Sequence, residues 1–211
     1  MSYIKLVSIG IFISFIICIK SNNCQSNPKI ELEDIAKNAL IEKYDLPKNE
    51  RFIINQKKVP FWNGINIFHF IILGDEEPSP EFIVVIDKKK EVHIFSEILT
   101  TKEFNRLVKE NKINIDENNL KHFINIFLYL VDNYSRVISG YDDFGYFQNI
   151  ITEKEKNKIG PLRPIKYKIR ENEITAEFFS WAASSNLKKW NITFSHSGKI
   201  ITYNFKALYE F

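Results

Sequence analysis

Trp190-Asn191-Ile192-Thr193-Phe194-Ser195-His196-Ser197-Gly198-Lys199-Ile200-Ile201-Thr202-Tyr203-Asn204-Phe205 is the stretch whose reading decides the fold. Trp190, Ile192 and Phe194 alternate with polar residues, and Ile201, Tyr203 and Phe205 do so again. That period of two places them on one face of a strand. Between them Ser195–Gly198 reads as a tight turn with glycine at the left-handed position. Strands joined this closely pair antiparallel, because a parallel pair needs a crossover of about a dozen residues. Just upstream, Ile165, Tyr167 and Ile169 alternate, Glu171-Asn172 suits a turn, and Ile174, Ala176 and Phe178 alternate again. Residues 163–205 therefore read as an antiparallel meander.

Towards the N-terminus the period lengthens. Leu120, Phe123, Ile124, Phe127, Leu128 and Val131 recur at helical spacing, so this segment is the expected central packing helix, begun by Asn114 with Glu117. A shorter helix precedes it: Thr100 with Glu103 fits a capping box, and Phe104, Leu107 and Val108 form its apolar face. Further back come strands at 51–59 and 65–73, then a hairpin of 81–87 and 91–96 about Lys88-Lys89-Lys90. Asn27-Pro28 opens a first amphipathic helix that buries Leu32, Ile35, Ala36, Ala39 and Leu40 and ends near Tyr44. Helix, strands, helices, strands is a segregated order. It predicts an α+β fold of amphipathic helices packed on antiparallel sheet, and hints at two helix-plus-sheet halves, 27–99 and 100–211, sharing one core.

The first 26 residues carry a different message. Leu6–Ile19 is an unbroken apolar and small-residue run after Lys5, the length of a signal-peptide core and shorter than the ~20 residues that span a bilayer. Residues 1–26 are read as an export signal, which directs the chain to a periplasm or the cell exterior. Both cysteines, Cys18 and Cys24, fall inside it, so the mature domain is expected to lack disulfides, thiolate metal clusters and a cysteine nucleophile. Cys24 either leaves with the signal or becomes a lipidated first residue that anchors the protein to the envelope.

Charge narrows the partners. Lys5 and Lys20 leave with the signal, taking two of 29 basic side chains and leaving the chain near balance against 26 acidic ones. A sequence-independent nucleic-acid binder needs a concentrated basic surface. The one tight basic run, Lys88–Lys90, lies in an expected turn, so no nucleic-acid partner is expected. Nor is a membrane contact, except through lipid on Cys24. His69, His93, His122 and His196 are scattered over strands, a helix and a turn, without a paired metal-binding spacing. No metal and no cofactor are expected. Gly-x-Ser-x-Gly is absent, and Asp143-Phe144-Gly145 stands without a glycine-rich loop or a His-Arg-Asp catalytic loop.

Two aromatic concentrations remain as candidate sites. Tyr141, Phe144, Tyr146 and Phe147 surround Asp142-Asp143, where a carboxylate beside aromatics could act as a ligand lip or as a general acid. Phe179 and Trp181 form the second, with Phe178 and Phe179 on opposite strand faces. The opening helix followed by antiparallel strands resembles the cystatin-like superfold, which also includes nuclear-transport-factor-like domains. Gln56-Lys57-Lys58-Val59-Pro60 departs from the cystatin Gln-x-Val-x-Gly hairpin, and Pro60-Phe61-Trp62 interrupts its Pro-Trp pair, so the resemblance does not imply protease inhibition. The expected function is an exported, non-catalytic binding module for a protein, peptide or small apolar ligand. The alternatives are a small hydrolase or isomerase using Asp142 or Asp143 with a histidine, and a lipid-anchored structural envelope protein.

Overall fold

The computed structural model describes residues 28–74, 79–96, 98–147, 151–182 and 186–210. Residues 1–26, expected from sequence to be an export signal and containing Cys18 and Cys24, and the acidic residues Asp75-Glu76-Glu77 lie outside the described residues, as do the side chains of Tyr146 and Phe147. The chain divides into two units, 1–35 and 36–211. Of the first, the described part is the opening of helix α1 (Pro28–Tyr44), with proline at its head, where the absent N–H costs nothing.

The second unit is α+β. Its first sheet runs in sequence order, β1 (Phe52–Lys57), β2 (Asn66–Ile72), β3 (Glu81–Ile86) and β4 (Val92–Phe95), every pair antiparallel. Register sorts its two faces. Phe68 lies opposite Val84 and Phe70 opposite Phe82 on one face, while Ile67 with Val85 and His69 with Ile83 occupy the other. The Tyr44 ring of α1 packs against Phe82 with centroids 4.7 Å apart and planes tilted by 48°, and Lys43 Nζ donates to the Ile94 carbonyl at 2.9 Å. Gly64, in the turn before β2, has φ +80°, and a Cβ there would stand 2.5 Å from Lys88 Cβ. Glycine is needed because two turns meet at that point.

Helix α2 (Thr101–Asn111) starts on the expected capping box of Thr100 and Glu103. Helix α3 (Leu120–Val131) does not start where the sequence suggested. Asp116 accepts the backbone N–H groups of Asn118 and Asn119, while the Asn119 amide donates to the Asn114 carbonyl and accepts from Asp116 N. Side-chain to backbone bonds of this kind compete with the helix and delay it by several residues. Glu117, the expected partner of Asn114, instead accepts the Tyr167 hydroxyl.

After α3 come β5 (Arg136–Ile138), a 3₁₀ segment (Tyr141–Phe147) and helix α4 (Glu153–Ile159), then β6 (Lys166–Ile169), β7 (Ile174–Trp181), β8 (Leu187–Phe194) and β9 (Ile200–Tyr209). The second sheet has the order β5-β7-β8-β9, with β6 pairing β7 beside β5 on the same edge. The meander matches the sequence reading, and Gly198 takes φ +79° in its last turn. α4 was not foreseen, although Thr152 and Glu155 form a second reciprocal capping box.

One apolar cluster joins Ile67, Ile83 and Val85 of the first sheet, through α2 and α3, to Ile174, Phe178, Trp190 and Ile192 of the second. Aromatic rings trace the path. Trp62 contacts Phe104, Phe104 contacts Phe127, Phe127 contacts Trp190, and Trp190 stacks on Phe178, with centroids 5.3–6.3 Å apart. Each buried phenylalanine of this kind contributes about 1.5–3 kcal/mol through burial alone.

Candidate functional site

The residues singled out from sequence serve mainly to build the fold. Asp143 Oδ2 accepts the N–H groups of Ser139 and Gly140 at 2.6 and 3.2 Å, and its carbonyl accepts the Arg136 guanidinium. Asp142 is exposed. Phe144 and Trp181 are 1% and 4% exposed and pack 4.8 Å apart in a small second core with Ile138 and Leu187. Phe179 is half-buried against the same cluster, and the Tyr141 hydroxyl donates to the Gly160 carbonyl at 2.9 Å. Among the described residues the histidine–carboxylate pairs lie elsewhere: His69 with Glu81, and His93 with Asp87.

A different group converges where the first sheet emerges from beneath the C-terminal end of α3. That helix closes on Asp132, whose N–H donates to the Leu128 carbonyl. In place of the usual glycine, Asn133 and Tyr134 follow with φ +48° and +60°. A left-handed backbone is tolerable for asparagine and costs a ring-bearing residue about 1–2 kcal/mol. The strain folds Tyr134 back over the sheet. Its ring stacks 4.5 Å from His69 and meets Tyr129 edge-on at 5.0 Å.

Hydrogen bonds hold this arrangement in place. His69 Nε2 lies 2.8 Å from Glu81 Oε2, on the neighbouring strand, and the Tyr134 hydroxyl bonds the same carboxylate. Burial, reinforced by the Glu81 charge, pushes Tyr129 up to about 12 and raises Tyr134 as well. Both phenols are therefore neutral donors at physiological pH. Lys57 Nζ lies 4.7 Å from the Tyr129 ring centroid, and partial burial holds its pKa below the ordinary lysine value.

Beside Tyr134 opens a cleft of about 470 Å³, within the size range of small-molecule sites. Lys57, Lys58, His122, Phe61, Tyr129 and Ser135 line it, among others. Ser135 is 2% exposed, and its Oγ has no hydrogen-bond partner among the described residues. A buried hydroxyl without a partner carries a desolvation penalty of about 1–3 kcal/mol.

A larger cleft of about 970 Å³ runs along α2 past Lys102, Arg106, Lys109 and Lys112. None of its lining residues is a buried polar group without a partner, and Glu103 is committed to the α2 cap. Asp87, Glu91 and His93 bring ligand-type atoms within 4.8 Å of one another. Asp87 Oδ1 already accepts the N–H groups of Lys89 and Glu91 at 2.8 and 2.9 Å, which closes the β3–β4 turn. The cleft beside Tyr134 is thus the place where strain, phenols with raised pKa values and an unsatisfied buried donor coincide.

No protein-family model matches the chain, and neither a curated protein nor a solved structure does so.

Sequence reasoning passed over Lys57, Lys58, Tyr129, Tyr134 and Ser135. Asn133-Tyr134-Ser135, directly after so apolar a helix and without glycine or proline, was the available signal: the chain must stop a helix there with residues poorly suited to the task.

Proposed function

We propose that this chain is a non-catalytic binding module whose ligand occupies the cleft beside Tyr134. The observation that carries the reading is Ser135, which stands in the wall of a concave space with aromatic side chains and whose buried hydroxyl has no partner among the described residues. Strain at Tyr134 supports it, since left-handed non-glycine residues concentrate at ligand sites. Under this proposal residues 1–26 export the module, either free or anchored through Cys24. The alternative through Asp142 or Asp143 has less support, because Asp143 holds its own loop and neither carboxylate meets a histidine among the described residues. Amide NMR of the purified protein against a small-fragment library tests the proposal. Binding fragments should shift the resonances of Lys57, Tyr134 and Ser135 together; binders that leave these three unmoved would refute it.

A further inference from the structure

The cleft also carries information about the charge of its occupant. Lys57, Lys58, His122 and Arg136 line it, and no aspartate or glutamate does. Arg136 is spoken for, since its guanidinium donates to the Asp143 carbonyl and lies 5.8 Å from the Trp181 ring centroid. Lys57, Lys58 and His122 have no ion-pair partner among the described residues. Glu81 lies outside this lining, on the neighbouring cleft of about 300 Å³, and bonds His69 and Tyr134; its charge acts on the two phenols.

Phe61, Tyr129 and Tyr134 are the aromatic members of the lining, beside Pro60, Ile126 and Val137, and the Tyr129 and Tyr134 rings meet edge-on at 62°, an apolar surface suited to a planar body. Lys57 and Lys58 are exposed at the cleft, and Lys57 Nζ sits over the Tyr129 ring, so an incoming anion can pair with both ammonium groups.

We infer that the ligand is a small organic anion with a planar apolar body, its negative head held by Lys57 and Lys58, with the Ser135 hydroxyl turning out of the cleft wall to donate to it, and its body resting against Tyr129 and Tyr134. The inference rests on the cleft being the binding site. Carboxylate and phosphate heads share the required chemistry, and the experiment separates them.

The test titrates the full chain with 2-naphthoate, 2-naphthyl phosphate and neutral 2-naphthamide, followed by amide NMR and calorimetry. At least one anion should shift Lys57, Tyr134 and Ser135 and bind tenfold or more tightly than the amide, the stronger anion identifying the head group. The double variant Lys57→Gln/Lys58→Gln should lose that tenfold advantage of anion over amide; an advantage that survives in it would overturn the inference. Equal binding of anions and amide in this cleft would overturn the anion inference and leave the binding proposal standing. Anion shifts confined to the lysines of α2 would overturn the inference, and silence of all three probes at the cleft would overturn both.

Discussion

At the residue scale, Tyr134 concentrates the physics of the site. It has a left-handed backbone, a ring stacked on His69 and a phenol that burial and Glu81 keep protonated. The sign of the linkage follows directly. A phenol whose folded pKa exceeds the unfolded value of about 10 contributes stability that is complete below pH 10 and is lost as pH rises through the folded value. For Tyr129 that window runs from about 10 to about 12, and Tyr134 adds to the same loss. The Tm should therefore fall more steeply above pH 10 in the parent than in Tyr134→Phe; identical slopes from pH 8 to 11.5 would contradict the assignment. None of this was legible in the sequence. His69 and Glu81 are 12 positions apart and Tyr134 lies far from both, so only the strand register and the α3 reversal bring them together. The aromatics around Asp142 were visible as a cluster, but the burial of Phe144 and Trp181 depended on a packing partner that local pattern does not specify.

At the scale of elements, local rules served well wherever period and turn chemistry agreed. The meander from β6 to β9 and the capping box of α2 followed from alternation, Gly198 and the Thr100/Glu103 spacing. They failed where short polar side chains compete for the backbone, as before α3, and where a strand is only three residues long, as in β5. Gly198 offers a direct check. Its φ is +79°, and an added Cβ would lie 2.3 Å from Ile113 Cδ1 and 3.0 Å from Phe123 Cε2, inside the core. Gly198→Ala combines backbone strain with overpacking and should cost about 2–4 kcal/mol in a denaturant titration, with the urea m-value unchanged. Thr152→Ala, which removes the α4 capping box, should cost about 1 kcal/mol. A smaller penalty at Gly198 than at Thr152 would mean that the turn does not press on the core.

At the scale of the whole second unit, one buried ion pair ties the end of α3 to the second sheet. Asp132, at the C-cap of α3, pairs with Lys188 of β8, the two side chains being 8% and 13% exposed. Asp132 Oδ2 has no further partner, so the pair is incompletely satisfied. Breaking such a pair leaves a charge stranded: Lys188→Met should destabilise by about 3–5 kcal/mol, and Asp132→Leu/Lys188→Met should recover most of that loss. A double variant as unstable as the single one would show that the ion pair does not carry the penalty. Asp132 is three residues before Ser135 and its carbonyl accepts the Ser135 N–H at 3.0 Å, so the reversal that carries the ion pair also sets Ser135, with its unsatisfied hydroxyl, in the cleft wall. Stability and binding are therefore opposed at Ser135, and thermal unfolding of the parent and Ser135→Ala, each with and without whichever of 2-naphthoate and 2-naphthyl phosphate binds more tightly, measures both. Ser135→Ala should show a Tm equal to or above that of the parent and loss of the ligand-induced rise; a Tm several degrees lower, with the ligand-induced rise intact, would show that the hydroxyl supports the fold and not the ligand.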